Sequence, residues 1–452
     1  MPRNQRTTLP QPLFHEPSFN DGTQTADPTG FKTTHPSDTA TYKQVENLLK
    51  KDVVTFPKSR LPDDGLYTLE QAYGNHGADV IKKIKNAKKI IFHALGDSGA
   101  SNSGKYPHEL KVADQVTLDC AQSDEFNRPA FLFHIGDIVY NFGEAQYYYD
   151  QFYEPFRNYP APIFAIPGNH DSFVVPGTPK NKTPLTTFMR NFCADKPTIT
   201  AEAGPLHRTA GTQPGVYFTL AAPFVRIIGM FSNSLEDPGV ISSQTEKNKK
   251  KWPSVPDYQL AFLRAQLRLL KQDKFAGAVL LATHHPPFSY SPPPKHGGAG
   301  GNHGNSAAML RQIDTICKQE GVYPHAFLSA HAHNMQRYTR IVEFNGKDYD
   351  VPFIVCGDGG HNVNSLVRPR KGERAVEPHP GTNVDYLENN PALKTKELIL
   401  EKYDDRNYGY LRIHVDKDFL KIGFHQVGVN TLAQSRFDMV TVQLSDHTMV
   451  AN

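Results

Sequence analysis

The sequence predicts an α/β fold, and three observations carry that prediction. Apolar runs of strand length recur along the chain, and the run at Phe131–Ile135, in which His134 is the one polar residue, has the largely apolar character of a buried parallel strand. Amphipathic patterns of helical length stand between these runs. A chain of 452 residues can form one large layered domain, although its length also allows two or three smaller ones.

The first elements follow from composition and capping. Residues 1–60 are rich in Pro, Thr, Asp and Gly with little periodicity, so we expect an irregular segment with one short helix near Thr41–Lys50. The pattern of Thr68–Lys88 predicts a helix with Thr68 as its N-cap, and a first strand follows at Lys89–Leu95.

Later segments alternate between helical and strand patterns. Two strands of a second sheet are expected after residue 214, and two strands near the C-terminus are expected to complete that sheet. These four strands are Gly215–Leu220, Val225–Phe231, Tyr408–His414 and Phe419–Phe424. Helices are predicted at Leu110–Ala121, Ala145–Phe156, Tyr258–Lys271 and Ala307–Gln319.

Five predicted strands end at oxygen or nitrogen donors. In α/β proteins the carboxyl ends of the strands are where ligands bind, so these donors are expected to meet. Asp, Asn, Tyr and His donors without Cys favour borderline-hard metal ions. The strand segments are KIIFHALGDSG with Asp97, FLFHIGDIVY with Asp137 and Tyr140, APIFAIPGNHD with Asn169, His170 and Asp171, AVLLATHHPP with His284 and His285, and AFLSAHAH with His331 and His333.

Composition narrows the classes of function. The net charge of +3 is too balanced to indicate a nucleic acid or membrane partner. The longest apolar run, Phe275–Ala282, is far short of a membrane span. Cys120, Cys193, Cys317 and Cys356 are widely spaced without a CxxC pair, and we interpret them as buried thiols.

The N-terminal residues MPRNQRTTLPQP lack the apolar region of a secretory signal. The chain as given is therefore expected in the cytoplasm if it is complete. If a leader was removed, export is the alternative.

At the donor-bearing strands the sequence resembles the calcineurin-like metallophosphoesterases and, within them, the purple acid phosphatases. That branch carries GDxG, GDxxY, GNH followed by Asp or Glu, VxxH and GHxH in this order. Here they stand as GDSG, GDIVY, GNHD, LATH and AHAH, with Leu281 and Ala330 as departures that supply no ligand. The wider superfamily usually has Asp-x-His in its first motif, whereas Gly99 stands here, and Tyr140 also favours the purple branch.

The resemblance covers roughly Lys89–Ser445 and implies a four-layer α/β/β/α sandwich of two mixed sheets flanked by helices. The predicted organisation is an N-terminal extension at 1–88, a metallophosphoesterase catalytic domain at 89–445 and a tail at 446–452. Asp358 follows a later strand, and the family has a glycine-rich turn there without a metal role. We therefore interpret Asp358 as structural.

The resemblance also implies a site for two metal ions. Asp97, Tyr140 and His333 would hold the first ion, for which their anionic oxygens favour Fe(III). The second ion would be divalent (Fe, Zn or Mn) and bridged to the first by Asp137. Its other ligands would be Asn169, His284 and His331.

The expected reaction is hydrolysis of phosphomonoesters by direct attack of a metal-bound hydroxide, with an acidic optimum. His170 is the candidate general acid, and Asp171 the candidate residue behind the ligands that fixes a histidine tautomer. His285, His296 and His303 are weaker candidates for contacts with substrate oxygens.

Three other functions are compatible with such a site. A phosphodiesterase acting on a nucleotide or lipid head group could use the same metal pair. A DNA-repair nuclease is disfavoured by Tyr140 and by the missing histidine of the first motif. An inactive metal-bearing binding module is disfavoured by the intact His170. The expected partner is a small phosphate ester, with neither a nucleic acid nor a membrane span.

Overall fold

The computed structural model describes residues 57–140, 142–172, 185–232, 239–242, 255–290, 306–366, 378–383, 392–428 and 436–450. Several predictions concern other positions and lie outside the described residues: the irregular segment before residue 57 with its short helix, His296 and His303.

The strands of the described ranges form two mixed sheets. In spatial order, the first has nine strands: β1 (Tyr67–Thr68), β5 (Phe218–Ala222), β6 (Val225–Met230), β7 (Ala278–Thr283), β8 (Ala326–Ser329), β10 (Lys347–Cys356), β9 (Met335–Phe344), β12 (Thr395–Asp404) and β11 (Thr382–Asn383). The second has seven: β16 (Met449–Val450), β15 (Arg436–Gln443), β14 (Phe419–Gln426), β13 (Gly409–Asp416), β2 (Lys89–Leu95), β3 (Leu132–His134) and β4 (Ile163–Ala165). Strands β2, β3 and β4 are parallel, as are β6, β7, β8 and β10.

The helices of the same ranges are α1 (Leu69–Tyr73), α2 (Gly77–Ala87), α3 (Tyr106–Gln122), α4 (Asn169–Ser172), α5 (Thr186–Phe192), α6 (Tyr258–Gln272) and α7 (Ala307–Glu320). The predicted helix at Ala145–Phe156 is instead a 3₁₀ turn, Ala145–Tyr147, followed by a π-helical segment, Tyr149–Tyr153. None of the helices that the structure describes has the length and apolar character needed to cross a membrane.

Successive strand residues face different cores, as the two-residue period of a strand requires. Phe133 of β3 belongs to a core shared by both sheets, together with Leu280 of β7. Leu132 belongs to a second core that also contains Val116 of α3 and Phe262 of α6. Helices thus cover the outer faces while the inner faces pack on each other, and the predicted four-layer sandwich is confirmed.

The chain before residue 89 contributes to this sandwich where it is described. Thr68 caps α1 through a capping box with Gln71, in agreement with the predicted N-cap. Strand β1 pairs with β5 in parallel, and β16 pairs with β15 at the other end of the chain. Residues on both sides of positions 88 and 446 therefore contribute strands to these sheets.

The predicted sheet membership of the C-terminal strands is wrong. Strands β13 and β14 lie beside β2 in the seven-stranded sheet, whereas β5 and β6 belong to the nine-stranded one. The antiparallel pairing of β13 with β2 directs Leu411 and Ile413 into the core between the sheets. The nine-stranded sheet is extended instead by β9, β10 and β12.

All four cysteines are buried free thiols, as predicted. Burial raises the pKa of the Cys120 and Cys193 thiols to about 12. At neutral pH these thiols are therefore protonated packing residues.

The stacked pair of His325 and His447 leads us to expect that the protein loses stability in acid. His325 accepts a hydrogen bond from the Val279 amide at 3.0 Å, lies 3.1 Å from the Leu444 carbonyl through Nε2, and stacks on His447 at 4.0 Å. Burial lowers the pKa of His325 to about 4. Because the unfolded imidazole has a pKa of about 6.5, unfolding takes up a proton below that pH. The contribution of neutral His325 to the free energy of unfolding is therefore fully present above about pH 6.5 and is lost as the pH falls towards 4.

The test is urea unfolding of the wild-type protein and His325→Gln at pH 7 and pH 5. The wild-type protein should lose about 2 kcal/mol more than the variant between these conditions. His76→Gln, at a partly exposed position, is the control and should follow the wild type. Equal losses in wild type and His325→Gln would show that His325 is not the group responsible.

Candidate metal centre

The donor-bearing strand ends of both sheets meet at one place. Tyr140 Oη lies 3.0 Å from Asp97 Oδ1 and 3.1 Å from His333 Nε2. His333 Nε2 is also 3.3 Å from Asp97 Oδ1. Donors that follow β2, β3 and β8 are thereby brought into contact, although β8 belongs to the other sheet.

A second set of donors lies alongside the first. His284 Nε2 is 3.1 Å from Asn169 Oδ1 and 3.4 Å from Asp137 Oδ2. The rings of His284 and His331 are 5.1 Å apart between centroids. His284 Nδ1 lies 2.8 Å from the Ile135 carbonyl, which can only accept, so Nδ1 carries a proton and Nε2 faces the other donors.

Two overlapping groups of donors in the described part of the chain have the spacing of cation sites. The first group joins Asp97, Asp137 and His333, and the second group joins Asp137, His284 and His331. Within each group the candidate ligand atoms lie within 4.8 Å of one another. Asp137 belongs to both groups, as a residue that bridges two ions must.

The backbone around these donors is strained. Four of them have positive φ, at 55° for Asp97, 56° for Asp137, 68° for His331 and 47° for His333. A residue with a Cβ rarely adopts this conformation, which costs about 1 kcal/mol or more each time. Such outliers cluster at functional sites because the surrounding fold maintains them there.

Gly168 leaves the space that the Asp137 carboxylate occupies. A Cβ on Gly168 would lie 2.0 Å from Asp137 Oδ1, so no larger residue fits without displacing that carboxylate. The glycine of the GNHD motif therefore has a steric role beside the donors.

The charges at the site are unbalanced without a cation. Burial raises the pKa of the Asp97 carboxyl to about 7, with His284 opposing and Asp137 adding to the shift. Burial also acts against the charge of Asp137, yet His284 and His170 outweigh it and hold the pKa of that carboxyl below its usual range. Burial disfavours protonated His284, but Asp137 and Asp97 raise its pKa to about 9. Bound cations would remove the need for these protons.

Tyr140 is a buried phenol in this surrounding. Burial, with Asp137 and Asp97, raises the pKa of Tyr140 well above its usual value. The phenol is therefore neutral in the metal-free site and donates its proton to Asp97. A phenolate at this position therefore requires a cation.

His170 lies against Tyr140, with ring centroids 4.3 Å apart. Its backbone amide donates to Asp137 Oδ1 at 2.9 Å, which ties the first turn of α4 to the strand end after β3. The imidazole of the candidate general acid thus lies beside Tyr140, and its backbone amide binds Asp137.

The hydrogen bonds of the Asp171 carboxylate are with the backbone of neighbouring loops. Its carboxylate accepts hydrogen bonds from the backbone amides of Ile138, Val139 and Gly168 at 2.9–3.2 Å. These amides lie outside the strands and have no partner in a sheet, so Asp171 supplies their acceptor. It therefore stabilises the loop that carries Asp137 and Tyr140.

His285 lies beside the second group of donors. Its ring centroid is 4.4 Å from that of His331, and Ser232 Oγ contacts both its Nδ1, at 2.8 Å, and its backbone amide, at 3.0 Å. Ser232 therefore fixes the orientation of a histidine that the sequence predicted as a substrate contact.

Comparison with known proteins gives the family. Residues 64–335 match the profile of the calcineurin-like phosphoesterases, which is more than half of the chain. The chain belongs to this family. It is therefore a metal-dependent phosphoesterase acting on phosphate esters, and its two overlapping donor groups correspond to a dinuclear site.

Curated proteins contain no significant match to this sequence. Among solved structures, PhoD is similar with 11% identity and a TM-score of 0.48, over 80% of this chain and 72% of that one. A conserved uncharacterized protein from Streptococcus pneumoniae TIGR4, a predicted phosphoesterase, is similar with 11% identity and a TM-score of 0.28, over 78% of this chain and 98% of that one. The family assignment rests on the sequence match.

Two motif positions of this phosphoesterase, Gly99 and Ala330, are in close steric contact with their surroundings. A Cβ on Gly99 would lie 2.3 Å from the Ile138 carbonyl oxygen, so a histidine cannot occupy that position in this backbone. The methyl group of Ala330 lies over Gly96, where a second Cβ would approach it to 2.4 Å. The extra methyl group of Ala330 is thus accommodated by a glycine across the site.

The sequence did not identify His361 and Lys105 as residues of this phosphoesterase site. His361 stacks on Tyr140 with ring centroids 3.5 Å apart, and Lys105 Nζ lies 2.6 Å from its Nε2. A signal was present, because His361 follows strand β10 and its glycine turn, as the other donors follow their strands. Asp358 is buried and belongs to neither donor group among the described residues.

The residues present fit two cations. Asp137 Oδ2 is buried without a hydrogen-bond partner among the described residues, an arrangement that is costly unless a cation or water satisfies it. The Asp, Tyr, Asn and His donors also match the ligand preferences of borderline-hard ions.

Proposed function

We propose that this protein is a phosphomonoesterase of the purple acid phosphatase type. Asp97, Tyr140 and His333 hold a ferric ion in this proposal. A divalent ion (Fe, Zn or Mn) is held by Asn169, His284 and His331, and Asp137 bridges the two.

One observation carries the proposal. Tyr140 Oη lies within 3.1 Å of both Asp97 and His333, inside the first group of donors. Anionic oxygens from Asp and Tyr suit a trivalent ion, whereas the neutral amide and imidazoles of the other group suit a divalent one. Gly99 supports the same assignment, because the backbone there has no room for the histidine that other members of the superfamily carry in their first motif.

When bound, the two cations would activate the attacking water and neutralise the phosphoryl oxygens, and a trivalent ion would extend this activity to acidic pH. In this proposal His170, whose ring lies against Tyr140, donates a proton to the leaving oxygen. His285, whose ring lies against His331, donates a hydrogen bond to a phosphoryl oxygen beside the second group. Asp171 holds the loop that keeps Asp137 in position.

The test is the visible spectrum of freshly purified protein, with metal analysis and hydrolysis assays on the same sample. We expect a purple band, about two metals per chain including iron, and faster hydrolysis of p-nitrophenyl phosphate than of bis(p-nitrophenyl) phosphate. Tyr140→Phe should abolish the band because it removes the phenolate oxygen.

Tyr148→Phe is the matched control, because Tyr148 is also fully buried but its hydroxyl has no hydrogen-bond partner among the described residues. It should retain the colour. A colourless wild-type protein with two divalent metals would contradict the ferric assignment and the expected acid optimum. A faster rate on the diester would contradict the monoester assignment.

A further inference from the structure

His361 covers one face of the Tyr140 ring. The ring centroids are 3.5 Å apart and the planes are inclined by only 17°. A ring this close leaves no room for another on the same side, so His170, at 4.3 Å, lies against the opposite face. The phenol is thus held between two imidazoles, and the sequence motifs account for only one of them.

His361 is itself held at both ring nitrogens. Nδ1 lies 2.6 Å from the Gly99 carbonyl, which can only accept, so Nδ1 carries the proton. Nε2 lies 2.6 Å from Lys105 Nζ, which can only donate, so Nε2 presents its lone pair. The His361 backbone amide also donates to the Asp97 carbonyl at 2.9 Å. These three contacts determine the tautomer and the plane of a buried imidazole.

Lys105 reaches the other side of the same donor group through two asparagines. Its Nζ donates to Asn362 Oδ1 at 3.2 Å, and the Asn362 amide contacts Asn364 Oδ1 at 2.8 Å. The Asn364 side-chain amide lies 3.3 Å from His333 Nδ1. One lysine therefore supports two residues of the first group, Tyr140 through His361 and His333 through the asparagines.

We propose that His361, oriented by Lys105, is a positioning residue that directs the Tyr140 oxygen towards the first cation. This inference rests on the proposed ligand set. A ligand held in its binding rotamer pays less conformational entropy when the ion arrives, and contacts behind the ligands commonly change metal affinity by about 10–100-fold. The first cation should therefore bind about 10–100-fold more weakly without His361 or Lys105.

The experiment is a calorimetric titration of chelator-stripped protein with Zn²⁺, which needs no assumption about the native metal. Two binding events are expected, and Tyr140→Phe identifies the one that involves the phenol by weakening it. His361→Ala and Lys105→Met should weaken that same event by about 10–100-fold. In a Tyr140→Phe background, His361→Ala should have no further effect, because the atom that it positions is gone.

His447→Ala is the matched control, since His447 stacks on Tyr349 at 4.1 Å in a distant part of the fold. It should leave both binding events unchanged. His361→Phe restores an aromatic ring over the phenol and should recover part of the affinity. Lys105→Met provides the test if His361→Ala does not fold, because Lys105 is only partly buried.

The outcomes separate this inference from the proposed function. If Tyr140→Phe weakens one event while His361→Ala and Lys105→Met leave it unchanged, the positioning role is wrong and the ligand set stands. If Tyr140→Phe changes neither event, the ligand set is wrong and the positioning role falls with it. A full effect of His361→Ala in the Tyr140→Phe background would show a structural role that does not act through Tyr140.

Discussion

Asp137→Asn is expected to remove both cations and nearly all turnover. Asp137 is common to both donor groups, and its carboxylate is wedged against Gly168, so neither group is complete without it. Asparagine keeps the shape of the aspartate side chain, and its carbonyl oxygen can still accept the hydrogen bond from the backbone amide of His170. It removes the negative charge. Loss of one hydrogen-bond donor to a reacting oxyanion already costs about 10²–10³ in rate, so a loss of at least about 10³ is expected here.

The measurement is metal content after gel filtration, together with the rate on p-nitrophenyl phosphate. Asp358→Asn is the control, because it also alters a buried carboxylate near the end of a strand. That variant should retain both metals, in agreement with a structural role for Asp358. Two metals retained in Asp137→Asn would show that Asp137 does not bridge them.

His170→Ala is expected to keep both cations and to lose more turnover on esters whose leaving oxygen is more basic. The backbone amide of His170 still donates to Asp137, so the donor geometry is preserved. A positioned general acid contributes about 10²–10⁴ to the rate, and this contribution matters most when the leaving oxygen is strongly basic. Hydrolysis of an alkyl phosphate should therefore fall by about 10²–10⁴, and that of p-nitrophenyl phosphate much less.

The measurement is kcat on both esters, with metal analysis of each sample. His285→Ala is the control, since His285 lies beside the other donor group and its effect should not depend on the leaving group. A His170→Ala variant that hydrolyses both esters with equal losses would remove His170 as the acid.

Acid should affect rate and stability in opposite directions. The proposed ferric site favours activity at low pH, whereas the buried neutral His325 favours unfolding there. Loss of folded protein in acid should move the pH of greatest activity above the value that activation of the metal-bound water alone would give. We expect that optimum to remain below about pH 6.5, the pH above which His325 no longer affects stability.

The donors of the site could be predicted from sequence because their pattern is local. A buried strand that stops at Asp, Asn or His is visible within about ten residues, and sheets place such strand ends together. The structure brings together all seven predicted ligands, which lie after β2, β3, β4, β7 and β8. The N-cap at Thr68 and the first strand could be predicted for the same reason.

What could not be predicted depends on pairing across long distances in the chain. The alternation in β13 is compatible with either sheet, and only its pairing with β2 decides which one it joins. His361 meets the Gly99 carbonyl from 262 positions away, so its contact with Tyr140 has no local signature. The π-helical turn at Tyr149–Tyr153 likewise follows from packing, since its aromatic sequence is compatible with an α-helix.

The left-handed backbone at Asp97, Asp137, His331 and His333 has a consequence for engineering. Glycine would relieve the strain at each position, and asparagine would tolerate it better than most residues, so the metal-free fold would gain stability from replacements that destroy the site. A laboratory selection for heat resistance alone would therefore favour inactive variants at these four positions. At these four positions the residues that favour thermal stability differ from those that bind the metals. A selection for stable enzymes must therefore also require turnover.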